Sequence, residues 1–163
     1  MNNKPSKWLH GEEEIKTPFN YKGCGLDDIW LLSGYDLEDI DGEETVAIRN
    51  LDGLQEAIAQ SLVTRKKVLK GKEIRFLRLQ LDLTQSELAR LVGCDSQQIA
   101  RYEKDENKMP GPAGRVLRML VREYYGGNVS VRALLEALDG MDAKLEDKQV
   151  FSEMPDGRWK VTG

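Results

Sequence analysis

The sequence holds one histidine, His10, and two cysteines, Cys24 and Cys94, among 163 residues. A lone histidine leaves nothing to build an imidazole acid–base pair or a His-rich metal site from. The cysteines stand 70 positions apart without Cys-x-x-Cys spacing, which excludes a disulfide framework and a zinc site, so both read as reduced thiols. No apolar run approaches the roughly 18 to 20 residues that span a bilayer. The stretch Met1 to His10 lacks the charged, apolar, small-residue order of a signal peptide, so a cytoplasmic location without membrane contact is expected. Nucleophile and phosphate-loop motifs are also missing. Lys22-Gly23-Cys24-Gly25 is too short for a phosphate loop, no Gly-x-Ser-x-Gly occurs, and Gly126-Gly127-Asn128 reads as a helix stop. The carboxylates from Asp36 to Glu44 sit in a run, the habit of a solvated acidic loop. The expectation is no catalytic residue, no metal, no cofactor and no enzyme activity.

What is present is an ordinary globular composition: 40% hydrophobic, 32% charged, Gly 15 and Pro 5. That excludes wholesale disorder, and the length suits one or two small domains rather than a large enzyme. The net charge of −4 conceals a strong asymmetry, because residues 1–60 carry −8, residues 61–132 carry +7 and residues 133–163 carry −3. A basic middle between acidic flanks suits a surface that contacts phosphates; a solvated basic face is the other reading.

Met1–Pro18, with Glu12-Glu13-Glu14 and few apolar residues, reads as a flexible arm. Ile29-Trp30-Leu31-Leu32 and Thr45-Val46-Ala47-Ile48 read as two β-strands expected to pair antiparallel, with Asp41-Gly42 as a turn. Leu51 to Val63 places Leu54, Ala57, Ile58 and Leu62 at spacings of three and four behind an Asn50 or Asp52 cap, predicting an amphipathic helix. Residues 19–64 therefore form an expected β-β-α unit. The basic stretch Thr64 to Lys70 reads as a linker and hinge. Beyond Gly71, apolar Ile74, Leu77 and Leu81 mark a helix, and Thr84-x-x-Glu87 is a capping box ahead of Leu88, Ala89, Leu91 and Val92. Asp95 or Ser96 can cap the next helix, which holds Ile99 and Tyr102. After Pro110 and Pro112 a longer helix runs from about Ala113 to Tyr125, and Val129 to Leu138 predicts a last one. In the tail, Val150, Phe151, Trp159 and Val161 flank Pro155-Asp156-Gly157, which predicts a β-hairpin that extends the N-terminal strands or crosses to a second subunit.

The segment from Leu83 to Glu103, LTQSELARLVGCDSQQIARYE, carries the functional signal. Ala89 is small where two helices must cross closely and Gly93 permits the turn between them. Leu88, Val92 and Ile99 fix the crossing angle, so the following helix projects as a rigid ridge sized for a major groove. Ser96, Gln97, Gln98 and Arg101 make its polar face; Gln can pair with adenine and Arg with guanine. Lys104, Lys108 and Arg115 are candidate phosphate contacts from the loop and following helix. The string closely resembles the helix-turn-helix of the Cro/repressor (Xre) family of transcriptional regulators. That resemblance implies Ser96, Gln97 and Arg101 at base edges, with Gln85 and Gln98 bracing phosphates. It also implies a structural ion pair between Arg78 and Glu103, and a homodimer on a palindromic double-stranded DNA operator.

Tyr21 to Tyr35, YKGCGLDDIWLLSGY, followed by such a domain, is similar in layout to MqsA-type antitoxins of toxin–antitoxin operons. Those hold zinc through two Cys-x-x-Cys pairs, which this chain lacks, so metal binding is not implied. The resemblance implies an autoregulating antitoxin whose Trp30, Leu31 and Tyr35 dimerise or meet a toxin; read from its apolar neighbours alone, Trp30 is a core residue. A solitary regulator, or an interaction module with a non-reading helix-turn-helix, are the alternatives. The expected fold class is α+β, mainly α with a small β element. A five-helix DNA-binding domain at 65–140 would follow the 1–18 arm and the 19–64 unit, ahead of a 141–163 tail with the hairpin.

Overall fold

A computed structural model describes residues 7–10, 13–16, 18–127, 130, 137–138, 140 and 148–162, with side chains from residue 18 onward. The fold is α+β. The chain divides into two compact units, residues 1–57 with 146–163, and residues 58–145. The tail expected as a separate segment is thus part of the first unit.

Strands in the first unit are β1 (Lys7–His10), β2 (Glu13–Lys16), β3 (Phe19–Asn20), β4 (Ile29–Leu31), β5 (Tyr35–Ile40), β6 (Glu43–Ile48), β7 (Gln149–Glu153) and β8 (Trp159–Val161). β1 and β2 pair antiparallel, so the expected flexible arm contains a hairpin. A four-stranded sheet runs in the order β3-β4-β7-β8. The expected pairing of the Ile29 and Thr45 strands is not observed. β4 pairs antiparallel with β3 and parallel with β7, while β6 pairs with β5 in a separate ribbon. The turn chemistry accounts for the difference. Asp41 and Gly42 both take positive φ, 55° and 84°, the two-residue turn whose twist matches flanking strands, and it joins Thr45–Ile48 to the strand just before it. β4 is left to the tail hairpin β7–β8, whose Gly157 has φ 81°. Alternate residues bury Ile29 and Leu31 of β4, Phe151 of β7 and Trp159 of β8 in one core with Leu26 and Leu54. Trp30 alternates to the other side of β4 and is half-buried, with the Lys148 ammonium 4.8 Å from its ring centroid; it is not a core residue.

Helices are α1 (Leu51–Arg65), α2 (Gly71–Gln80), α3 (Gln85–Val92), α4 (Ser96–Glu103) and α5 (Gly111–Tyr124). Asn50 caps α1, its Oδ1 accepting from the Gly53 N–H at 3.2 Å. The helix continues two residues past the expected Val63 end. In the second unit Ile58, Leu62, Ile74, Leu77, Leu88, Ile99, Leu117 and Val121 form the core. Leu91, expected on the apolar face of α3, is 52% exposed.

The expected hinge at 64–70 is instead fastened. Arg118 of α5 is 3% exposed and donates to the carbonyls of Leu62 at 3.2 Å, Val63 at 2.9 Å and Lys67 at 3.0 Å. Leu62 and Val63 lie in the last turn of α1 and Lys67 just beyond it; the Leu62 carbonyl also accepts from the Lys66 N–H at 3.4 Å, and the buried guanidinium supplies donors where a helix end runs out of its own. Burial lowers the Arg118 pKa to about 10, against the opposing pull of Glu73. Lys66 and Glu73 form a second buried pair at 2.5 Å. The Val129 to Leu138 helix lies outside the described residues except at 130, 137 and 138; of these, Leu138 is buried.

Candidate nucleic-acid interface

The candidate reading helix is α4, and three local devices fix it. Thr84 caps α3: its hydroxyl accepts from the Glu87 N–H at 3.1 Å while the Glu87 carboxylate accepts from the Thr84 N–H at 2.7 Å. The same hydrogen bonds hold the Glu87 carboxyl below its ordinary pKa, the backbone one most strongly. Gly93 closes α3 in the left-handed region at φ 81°, and the amides of Gly93 and Cys94 both donate to the Ala89 carbonyl at 2.9 Å. Asp95 then caps α4, accepting from the Gln98 N–H at 2.9 Å, so its carboxylate serves the helix rather than standing against a phosphate.

Ile99 and Tyr102 anchor the inner side of α4 at 0% and 7% exposure. On the outer side Gln97, Arg101 and Lys104 are exposed and recur at i, i+4 and i+7, a single stripe along the helix. Ser96 is half-buried at the first turn. Lys108 is exposed in the loop and Arg115 is half-buried on the first turns of α5.

Arg78 and Glu103 form the expected ion pair in a two-toothed geometry, Nε to Oε1 at 2.5 Å and Nη2 to Oε2 at 3.1 Å, while Arg78 Nη1 donates to the Leu83 carbonyl at 2.8 Å. Gln85 joins this network, donating from Nε2 to Glu103 Oε2 at 2.9 Å. The resemblance assigns Gln85 to a phosphate; here an amide hydrogen that such a contact would use goes to Glu103, tying the start of α3 to the end of α4. Gln98 accepts from Asn107 Nδ2 at 3.4 Å, which steadies its side chain against the following loop.

Two contributors were not legible in the sequence. Asp105, at φ 57°, accepts from the Gly71 N–H at 2.7 Å and supplies a capping oxygen to α2 from 34 residues away. A Cβ on Gly71 would stand 2.5 Å from the Glu103 carbonyl oxygen, so only glycine lets α2 begin so near the end of α4. Asn107 is the other; a loop asparagine carries no spacing signal that would mark it. Both cysteines are free, and burial is the main cause raising each thiol pKa, which leaves neither as a ready thiolate nucleophile.

Residues 74–113 match the helix-turn-helix family model. The matched segment begins in α2, contains α3, the Gly93 turn and α4, and ends at the start of α5. No curated protein and no solved structure matches the chain. The helix-turn-helix points to DNA binding and transcription regulation. No helix among the described residues is long and apolar enough to cross a membrane.

Proposed function

We propose that the protein is a sequence-specific DNA-binding repressor, without enzymatic activity, that acts in the cytoplasm and binds a palindromic operator as a homodimer through α4. The observation that carries this reading is the exposed Gln97–Arg101–Lys104 stripe on a helix anchored from behind by Ile99 and Tyr102. Ser96, Gln97 and Arg101 read base edges, Gln toward adenine and Arg toward guanine. Lys104, Lys108 and Arg115 take phosphates, and Gln98 braces one beside them. A two-fold dimer places its two reading helices about one helical turn apart, roughly 34 Å.

The test is binding to a labelled fragment of the gene's own upstream DNA, titrated against random DNA at several salt concentrations. Preference for the upstream fragment and a steep fall with salt are expected; equal affinity for both fragments overturns autoregulation. Gln97→Ala is expected to lose about 1 to 3 kcal/mol of discrimination at one base pair, and Lys108→Ala to weaken all sequences alike while lowering the salt slope by about one. A folded Arg101→Ala variant with undiminished DNA binding would refute the placement of α4.

The antitoxin role rests on the MqsA-like layout and on the acidity of the first unit, where the β5–β6 ribbon exposes Asp36, Glu38, Asp39, Asp41, Glu43 and Glu44 and suits a basic partner protein. Co-expression with the neighbouring gene tests it. Relief of that gene's growth arrest supports a toxin partner, and a harmless neighbour leaves a solitary regulator.

A further inference from the structure

A recess of about 510 Å³ opens in the helical unit among the 67–70 segment, the α4–α5 loop and the start of α5. Its apolar lining includes Val68, Ile74, Tyr102, Met109 and Leu138. Five cations also line it, Lys67, Lys70, Lys108, Arg115 and Arg118, against one carboxylate, Asp105, which is engaged by the Gly71 amide. The 14-residue helix α5 points its N-terminus here, and its cap residue Pro110 supplies no side-chain hydrogen bond, so the positive end of the helix adds to the field.

The volume falls within the range of small-molecule sites, and an apolar lining with a few converging polar groups is their usual chemistry. The charge imbalance of the lining selects the sign of the occupant: Arg118 is held by three carbonyls and drawn to Glu73, but the exposed Lys67 and Lys108 keep the rim cationic beside apolar walls, which favours an anion and opposes a cation. We infer that this recess binds a small amphipathic anion, an apolar body carrying a carboxylate, sulfonate or phosphate. On the DNA-binding reading above, Lys108 and Arg115 serve both sites, so occupancy withdraws phosphate contacts and lowers operator affinity.

Gly114 makes a selective test available. It lies in the lining, and a Cβ there meets only Met109 Sδ at 3.9 Å. Gly114→Leu therefore fills the recess while improving helix propensity. The probe is 8-anilinonaphthalene-1-sulfonate, titrated into the full chain without DNA, at a temperature where near-ultraviolet dichroism shows native packing. Saturable binding at one site is expected, weakened about tenfold or more by Gly114→Leu and, separately, by the surface double variant Lys67→Glu/Lys108→Glu. The neutral analogue N-phenyl-1-naphthylamine is expected to bind more weakly than the sulfonate. No saturable binding, binding indifferent to both variants, or equal affinity for the neutral analogue overturns the site. Because this titration contains no DNA, its result stands apart from the repressor reading. Unchanged operator affinity at probe saturation overturns the coupling alone.

Discussion

Glu103 joins three elements of the helix-turn-helix, α2, α3 and α4. It receives Arg78 through two nitrogens and Gln85 through one, and the side chains of Arg78 and Glu103 are only 10% and 5% exposed. A buried pair of this kind adds little over apolar packing, but removing one member strands the other without water. Arg78→Ala is accordingly expected to lower stability by about 3 to 5 kcal/mol, seen as a large drop in the thermal midpoint; an unchanged midpoint would contradict the pairing. Arg118 offers a parallel case with carbonyl partners. Arg118→Lys keeps the charge but cannot span Leu62, Val63 and Lys67 with a rigid fork. A loss of about 2 kcal/mol or more by chemical denaturation is the expected result, from carbonyls left unsatisfied.

At the scale of elements, the capping residues turn a flexible chain into a rigid ridge. The Glu87 carboxyl is held below its ordinary pKa by Thr84, so the folded state binds its proton less readily than the unfolded chain does. The stability this contributes is full above the unfolded value and is lost as pH falls through the folded one. Glu87→Gln removes the titration, and acid unfolding between about pH 5 and pH 3 should then show a shallower slope than in the parent. An identical slope would show that the box does not hold in solution. The glycines of the two units test different physics. Gly93 has φ 81° with open space around it, so Gly93→Ala measures backbone strain alone, about 1 kcal/mol. Gly34 has the same φ, but its Cβ would stand 2.3 Å from the Trp159 indole; Gly34→Ala must displace that ring as well and should cost distinctly more.

At the scale of the whole molecule, the parallel pairing of β4 with β7 joins strands 120 positions apart, Leu31 facing Phe151 across the register. Phe151 and Trp159 are core residues of the first unit, so the end of the chain completes a structure begun near its start. Truncation before Gln149 removes both of them and leaves β4 with only the two-residue strand β3. Fast hydrogen exchange at the Leu32 amide is then expected, because its acceptor is the Phe151 carbonyl at 2.9 Å. Continued protection there would mean that β4 holds without the tail.

Local chemistry was enough to read the helix-turn-helix within the second unit. The capping box at Thr84 and Glu87, the glycine stop at Gly93, the Asp95 cap and the buried Ile99 and Tyr102 are short-range features, and their hydrogen bonds span three to five residues. The exposed stripe of α4 follows from the same periodicity. The first unit was legible only in part. Asp41-Gly42 specified its turn, and the tail hairpin was visible around Pro155-Asp156-Gly157. Nothing in a strand's own residues names its partner: the Asp41-Gly42 turn commits β6 to β5, and the tail hairpin, 120 positions away, takes the open edge of β4 and adds Phe151 and Trp159 to its core. The same holds for Arg118, Asp105 and Gly71. Each acts on a group more than 30 residues away, a donor at the end of α1, an acceptor at the start of α2 and a close approach to the end of α4, and only the folded chain brings these together.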